Sequence, residues 1–199
     1  MAQLIISVGR EFGSGGHVIA EMLSRKFGIP LYDDNLITEI AEKTGLSSDM
    51  IEKYNERPKH KIISRTVRDY SNSIEENIAK MQFDILKKKA AEGESFVVVG
   101  RCSETVLKEY PALVSLFILA DKDAKIERIM KLRDVSRQKA EALIDKSDRK
   151  RKSYHNYYCS LHWGDSRLYD LSINSSRLGI DKTADFLEQY IKERINASK

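Results

Sequence analysis

The stretch that decides the fold of this chain is Leu4-Ile-Ile-Ser-Val-Gly-Arg-Glu-Phe-Gly-Ser-Gly-Gly-His-Val-Ile-Ala20. An apolar run of β-strand type enters a glycine-rich loop, and the loop leads into a segment with helical periodicity. Glycines allow backbone N–H groups to turn toward a common point, and the dipole of the following helix favours negative charge there. The order strand, glycine loop, helix therefore predicts an anion site, and phosphate is the commonest ligand of such sites.

The loop departs from the Walker A pattern G-x-x-x-x-G-K-[ST], in which a lysine and a hydroxyl residue follow the second glycine. If Gly15 is that second glycine, the pattern begins at Arg10. Gly16 then stands at the lysine position and His17 at the hydroxyl position. The glycine cradle is thus kept, while its usual point charge is absent.

Two other interpretations of the loop stay open from its residues alone. In the dinucleotide pattern G-x-G-x-x-G, Gly13 and Gly15 fit but Val18 does not. The pair Asp33 and Asp34 follows at about the distance of the ribose-binding acid in that fold. The second interpretation is a flexible turn without a ligand.

Composition indicates one soluble α/β domain: 199 residues, 32% charged and 41% hydrophobic, with a net charge of +4. We expect no signal peptide and no membrane segment, since the apolar runs are far too short to span a bilayer. Two distant cysteines fit a reducing, cytoplasmic location. The mild positive charge suits an acidic small molecule, and the acidic residues within the basic segment 128–151 argue against nucleic acid.

Short apolar runs alternate with helix-period segments, which predicts a parallel sheet covered by helices on both faces. The predicted strands are 4–8, 29–32, 96–99, 114–119 and 168–173. The predicted helices are 16–27, 35–43, 47–55, 62–91, a helical region over 123–160, and 180–195. The two long helical insertions suggest separate lids over one site.

Charged side chains follow two of the predicted strands. In an open parallel sheet ligands bind beyond the carboxyl ends of the strands, so Arg101 would enter the same crevice as the glycine loop. A guanidinium there can bind phosphate with two hydrogen bonds, although a salt bridge to a helix is the competing role. Asp33 is the better functional candidate of its pair, because Asp34 can equally cap the next helix.

His155, Cys159 and His162 share one helix face with partial zinc-ligand spacing. The sequence offers no evident fourth ligand nearby, so we expect these side chains to serve core packing and predict no metal site.

Taken together, the chain resembles the cytidylate kinase-like branch of the P-loop nucleoside monophosphate kinases. The similar pieces keep their order along nearly the whole chain. They are Gly9-Arg-Glu-Phe-Gly-Ser-Gly-Gly16, Gly28-Ile-Pro-Leu-Tyr-Asp-Asp34, Val97-Val-Val-Gly-Arg-Cys102, Asp148-Arg-Lys-Arg151, Trp163-Gly-Asp165 and Tyr169-Asp-Leu-Ser-Ile-Asn-Ser-Ser-Arg-Leu-Gly-Ile180.

The resemblance implies a single P-loop NTPase domain over residues 1–199, a three-layer α/β/α fold with a five-stranded parallel sheet. A helical acceptor-binding insertion would occupy 33–95 and a helical lid 123–162. It also implies ATP and Mg²⁺ as the donor system and a small-molecule phosphate acceptor, with CMP or dCMP as the first guess.

Carried over by position, the resemblance assigns site residues in three groups. Donor binding falls to Gly13, Ser14, Gly15, Gly16, His17, Asn174 and Ser175. Acceptor binding falls to Asp33 and Arg101, and lid arginines are matched by Arg149 and Arg151. Arg10 and Arg149 are the candidates to replace the missing lysine. Cys102 stands where cytidylate kinases carry an aspartate.

The sequence therefore predicts an ATP-dependent phosphotransferase acting on a nucleoside monophosphate or a related small molecule. A non-catalytic nucleotide-binding sensor is the alternative, because the lysine and the hydroxyl are both replaced. A dinucleotide-dependent oxidoreductase is a more distant alternative that rests on Gly13, Gly15 and the Asp33 pair.

Overall fold

A computed structural model of the chain describes residues 3–33, 36, 41, 47, 49, 66–67, 70–71 and 73–197. Asp34 and most residues of the predicted helices 35–43 and 47–55 lie outside these residues. The helices are α1 (Gly16–Phe27), α2 (Ile74–Ala91), α3 (Ser103–Val106), α4 (Lys122–Arg133), α5 (Arg137–Tyr158), α6 (Ser175–Leu178) and α7 (Ile180–Asn196). The strands are β1 (Ile5–Arg10), β2 (Leu31–Tyr32), β3 (Thr66–Val67), β4 (Tyr70–Ser71), β5 (Phe96–Val99), β6 (Leu113–Leu119) and β7 (Leu171–Asn174).

Five strands form one parallel sheet in the order β2-β5-β1-β6-β7, which confirms the predicted fold class. β1 lies at the centre, with Ile5 in register with Phe96 on one side and Leu113 on the other. A dinucleotide-binding sheet has the order 3-2-1-4-5-6, so its second strand pairs with the first. Here β2 pairs with β5 instead, so the sheet does not have the dinucleotide order.

Side chains alternate across the sheet and build a core on each face. Ile6 and Val8 belong to the core that contains Ile19 of α1 and Leu187 of α7. Ile5 belongs to the opposite core, which α2 covers. The buried residues of β1 thus connect both layers of helices, and the end of β1 is held firmly in place.

Three predicted segments are wrong in detail. The helix predicted over 62–91 begins only at Ile74, and Thr66–Val67 pairs with Tyr70–Ser71 in an antiparallel hairpin. The region 123–160 divides into α4 and α5, because Asp134 adopts a left-handed conformation with φ of +49° and Ser136 caps the next helix. The last strand starts later than predicted, since the Asp165 side chain caps a 3₁₀ turn at Ser166–Leu168. Within the described residues, no helix combines the length and apolar character needed to cross a membrane.

Replacement of Leu116 by alanine tests whether the sheet forms the centre of the hydrophobic core. Leu116 is fully buried in β6, so Leu116→Ala should lower the free energy of unfolding by about 2–5 kcal/mol. Leu132→Ala is the control, because that leucine is 63% exposed on α4 and its truncation should cost little. Urea unfolding of both variants measures the difference, and equal losses would contradict the assignment of the core.

Candidate active site

The glycine loop lies between β1 and the N-terminus of α1. Gly13 and Gly15 have φ angles of +85° and +80°, which residues with side chains rarely adopt. A Cβ at Gly15 would lie 2.7 Å from Cδ1 of Ile180, and one at Gly13 would lie 3.1 Å from the backbone oxygen of Lys125. Both positions therefore require glycine, for the positive φ angle and because a Cβ atom would be crowded. With the loop in this conformation, the N-terminus of α1 faces the cleft.

Arg10 and Gly16 are sterically coupled. A Cβ on Gly16 would lie 2.5 Å from Cβ of Arg10 and 3.2 Å from its Cγ. Both Cβ positions are fixed by backbone, so neither atom can rotate away. A lysine at residue 16 is incompatible with Arg10 in this arrangement. Compared with the Walker A pattern, a glycine (Gly16) occupies the lysine position, and a cationic residue (Arg10) occupies the first glycine position. The positive charge is therefore at the end of β1.

The loop opens into a cleft of about 490 Å³. This volume is in the usual range for a small-molecule site. The cleft is lined by Gly13, Gly15, Gly16, His17 and Asp33. The arginines among its lining residues are Arg10, Arg101, Arg128, Arg133 and Arg151. Many guanidinium groups around a glycine loop make a cavity suited to a polyanion.

Asp33 lies between a histidine and an arginine at the end of β2. Its Oδ2 is 3.0 Å from Nδ1 of His17, and its Oδ1 is 3.6 Å from Nη2 of Arg101. Burial raises the pKa of the Asp33 carboxyl, but the hydrogen bond with His17 and the charges of Arg10 and Arg101 outweigh it and hold that pKa below its usual value. Asp33 is therefore a carboxylate at neutral pH, and it orients the buried Arg101 side chain.

His17 occupies the position of the Mg²⁺-binding hydroxyl and does not fit that role. Its two ring nitrogens contact Asp33 and Glu21, the latter at 3.1 Å. Mg²⁺ prefers oxygen ligands, and the nearest candidates in the cleft are the carboxylates rather than this ring. The start of α1 thus offers no protein ligand of the Walker type for the metal.

A buried ion network joins the loop to α4 and α5. Nζ of Lys125 is 3.0 Å from Oε2 of Glu11 and 3.5 Å from Oδ2 of Asp148. The N–H of Phe12 donates to Oδ1 of Asp148 at 2.6 Å, and Nη1 of Arg151 donates to the carbonyl oxygen of Arg10 at 3.3 Å. α5 is therefore docked directly on the glycine loop by hydrogen bonds.

Comparison with known proteins agrees with this geometry. Residues 5–177 match the model of the cytidylate kinase-like family. The chain belongs to this family. The resemblance predicted from the sequence is thereby confirmed.

The cytidylate kinase-like chain has curated and structural relatives. The cytidylate kinase of Methanococcus vannielii is 24% identical over 193 residues, which cover 95% of this chain and 100% of the relative. An uncharacterized protein from Eubacterium ventriosum, known from its crystal structure, is 38% identical with a TM-score of 0.76, covering 96% and 99% of the two chains. The shikimate kinase of Bacteroides thetaiotaomicron is 13% identical with a TM-score of 0.56, covering 95% and 98%, and its likeness concerns the fold alone.

Several predicted site residues of this cytidylate kinase-like chain do not face the cleft. Arg149 lines a separate depression with Asp145, Lys146 and Ser153, because residues two apart on a helix point in different directions and Arg151 takes the cleft side. The structure thus separates Arg149 from the loop. Arg128, which was not among the predicted site residues, stands closer, with Cζ 3.7 Å from the Cβ position of Gly15.

Ser175 supports the loop from behind. The Ser175 hydroxyl lies 2.6 Å from the carbonyl oxygen of Ser14, to which it donates, and 3.2 Å from that of Leu119. The Asn174 side chain instead donates to Asp121 and accepts from the backbone N–H of Ser176, both outside the loop. Ser175 therefore holds the loop against the end of β7.

A second polar cluster lies beside the site. His155 and Cys159 meet Glu104 of α3, whereas His162 is exposed and outside the cluster. Burial lowers the pKa of His155, but hydrogen bonds with Cys159 and Glu104 outweigh it and raise the pKa to about 9. Spacing along α5 could not reveal Glu104, because that residue precedes His155 by 51 positions.

The pair His17 and Asp33 predicts a pH dependence of stability. The hydrogen bond with Asp33 raises the pKa of His17 above 6.5, so its stabilisation is complete below pH 6.5 and is lost as the pH rises through the raised pKa. The stabilisation from Asp33 is lost at the acid end, as the pH falls through its lowered pKa. Because His17 is half exposed, we expect under about 1 kcal/mol.

Thermal unfolding of the wild type and His17→Asn between about pH 5 and about pH 9 tests this dependence. The stability advantage of the wild type should be largest near pH 6 (about the ordinary histidine pKa) and should shrink at alkaline pH. Glu21→Gln is the control, since it removes the more exposed carboxylate partner of His17 and keeps Asp33. A difference that is independent of pH would show that His17 carries no charge linked to folding.

Proposed function

We propose that the protein transfers the γ-phosphoryl group of ATP to a small anionic acceptor. The observation that carries the proposal is the convergence of a glycine loop, a helix N-terminus and several arginines on one cleft of about 490 Å³. ATP and a phosphorylated acceptor together bring many negative charges, and such a cleft neutralises them at fixed positions. Family membership supports the same class of reaction.

On the donor side, the backbone of residues 13–16 wraps the phosphates of ATP, which enters as its Mg²⁺ complex. Arg10 supplies the positive charge that a Walker lysine provides elsewhere, because its side chain takes the space at Gly16 and lines the cleft. Arg128 contacts the same phosphates from α4. Ser175 keeps the loop in shape through its hydrogen bond to the carbonyl oxygen of Ser14, and neither Ser175 nor Asn174 contacts the base.

On the acceptor side, Arg101 binds the anionic group and Asp33 orients that arginine or accepts from an acceptor hydroxyl. The Arg101 side chain is 1% exposed, so its charge acts where solvent screening is weak. A nucleoside monophosphate is the acceptor class that the family favours, with CMP or dCMP first because a curated relative is named a cytidylate kinase. The insertion proposed for residues 33–95 would enclose this acceptor.

Catalysis in this proposal comes from alignment and charge neutralisation. Phosphoryl transfer has a loose transition state, so the protein needs little covalent chemistry. Arg151 and Arg128 stand on the region 123–162, which acts as the lid and excludes water when it closes on the γ-phosphate. The hydrogen bond of Arg151 to the backbone of Arg10 places lid and loop together.

The direct test is ADP formation from ATP and Mg²⁺ with a panel of nucleoside monophosphates that includes CMP and dCMP. We expect turnover that requires an acceptor. Arg101→Ala should raise the acceptor KM at least tenfold and change the ATP KM little. Arg149→Ala is the matched control, since that arginine lies outside the cleft and its loss should leave both constants near wild type.

Two results would contradict the proposal. Equal effects of Arg101→Ala on both KM values would remove the acceptor assignment. Tight ATP binding without ADP release for any acceptor would favour the nucleotide-binding sensor, the function that the replaced lysine and hydroxyl would suit. Circular dichroism of each variant separates these outcomes from loss of folding.

The exchange of Arg10 and Gly16 predicts a non-additive double substitution. Arg10→Gly alone removes the cation and should lower kcat/KM by about 10²–10³-fold. Gly16→Lys alone should destabilise the fold, because its Cβ would lie 2.5 Å from that of Arg10. The double variant removes the severe contact with residue 10, leaves a tight 3.2 Å approach to the Cβ of Ile118 and restores a lysine, so it should exceed both single variants in kcat/KM. Additive losses would show that the two positions are independent.

A further inference from the structure

Three side chains from two separate elements meet beside Arg101, in the short loop between β5 and α3. Oε1 of Glu104 is 2.9 Å from Nε2 of His155 and 3.8 Å from Sγ of Cys159. The ligand-type atoms of all three residues lie within 4.8 Å of one another. The exposed fractions are 5% for Glu104, 4% for His155 and 8% for Cys159. A buried cluster of carboxylate, imidazole and thiol is the donor set of a thiophilic metal.

The spacing of the cluster matches a tetrahedral ion. Bonds of about 2.0–2.2 Å to nitrogen and oxygen and about 2.3 Å to sulfur place neighbouring ligand atoms roughly 3.3–3.8 Å apart. The oxygen–sulfur distance of 3.8 Å already fits, and the oxygen–nitrogen distance of 2.9 Å needs a shift of under about 1 Å. Ligands are thus brought together before an ion arrives.

A second thiol lies next to Cys159. Cys102 is 3% exposed and belongs to the same buried cluster as Cys159 and Tyr154, but it is not one of the three residues whose ligand-type atoms lie within 4.8 Å of one another. A cavity of about 20 Å³ is bordered by Glu104 and His155 and also by the arginines Arg10, Arg101 and Arg151. That volume holds a single water-sized particle, so a water molecule there can reach an ion bound by Glu104 and His155.

We propose that Glu104, His155 and Cys159 bind one thiophilic divalent cation such as Zn²⁺, with a water molecule as the fourth ligand. The three protein ligands are at most 8% exposed, so the ion is structural and does not take part in phosphoryl transfer. Glu104 lies three residues after Arg101, and His155 lies in the last turn of the helix that carries Arg151 to the glycine loop. The ion therefore ties the acceptor-side arginine to the lid helix. This site does not depend on the proposed function.

Metal content and stability of the full-length chain test the proposal. The protein is purified in reductant, stripped with a chelator and dialysed against Zn²⁺ or Co²⁺. We expect one ion per chain by mass spectrometry, a thiolate-to-cobalt charge-transfer band with Co²⁺, and a rise in Tm of roughly 5 °C or more with Zn²⁺. Cys159→Ser and His155→Asn should weaken binding at least about a hundredfold.

His162→Asn is the matched control, because this exposed histidine lies near the cluster in sequence and outside it in space. It should keep full metal content and the full Tm response. Absence of stoichiometric metal in the reduced wild type would overturn the proposal, as would metal retained in both cluster variants. Isolation of a Cys102–Cys159 disulfide, with no metal bound after reduction, would also overturn it. The cobalt spectrum of the wild type decides the case even if a variant fails to fold.

Discussion

The side chain of Arg10 fills the space that any side chain at residue 16 would need, and the rest of the site is arranged around this contact. The Cβ of Arg10 lies 2.5 Å from the position of a Cβ on Gly16. Since β1 pairs with β5 and β6 on either side, its carboxyl end cannot move to relieve a clash. Arg10 at the end of β1 and Gly16 at the start of α1 therefore depend on each other and are not two independent substitutions.

Partly buried acids contact positive charges at and beside the cleft. Asp33 contacts His17 and Arg101 on one side. Glu11 and Asp148 flank Lys125 on the other side, so that lysine stabilises the docking of α5 and is a poor substitute for a phosphate-binding lysine. The site thus combines fixed cations with carboxylates that orient them.

Local signals in the sequence were sufficient to predict the bounds of helix α1 and strand β5. The prediction of α1 over 16–27 and of β5 over 96–99 matches the structure to the residue, because left-handed glycines bound the helix and a wholly apolar run marks the strand. Arg101 and Asp33 were predicted to share one crevice because the carboxyl ends of parallel strands meet at one edge, whereas Arg151 was predicted only from the family resemblance.

Contacts between distant segments could not be predicted from the sequence. Arg149 and Arg151 are equivalent in a charge run, and only the packing of α5 decides which one lines the cleft. The steric conflict between Arg10 and any side chain at residue 16 arises because the loop folds back against β1. The spacing of residues in the sequence does not reveal this fold-back. Glu104 completes the cluster with His155 and Cys159 from another helix, so the partial zinc spacing along α5 looked incomplete. Each of these depends on tertiary packing.

The most direct measurement of the central claim is a crystal structure with Mg²⁺ and a non-hydrolysable ATP analogue. We expect the triphosphate in the loop of residues 13–16, with the Arg10 guanidinium donating to β- or γ-phosphate oxygens at about 2.7–2.9 Å. A triphosphate bound in the loop with Arg10 directed away and another cation at that position would contradict the claim. So would a triphosphate bound outside the loop.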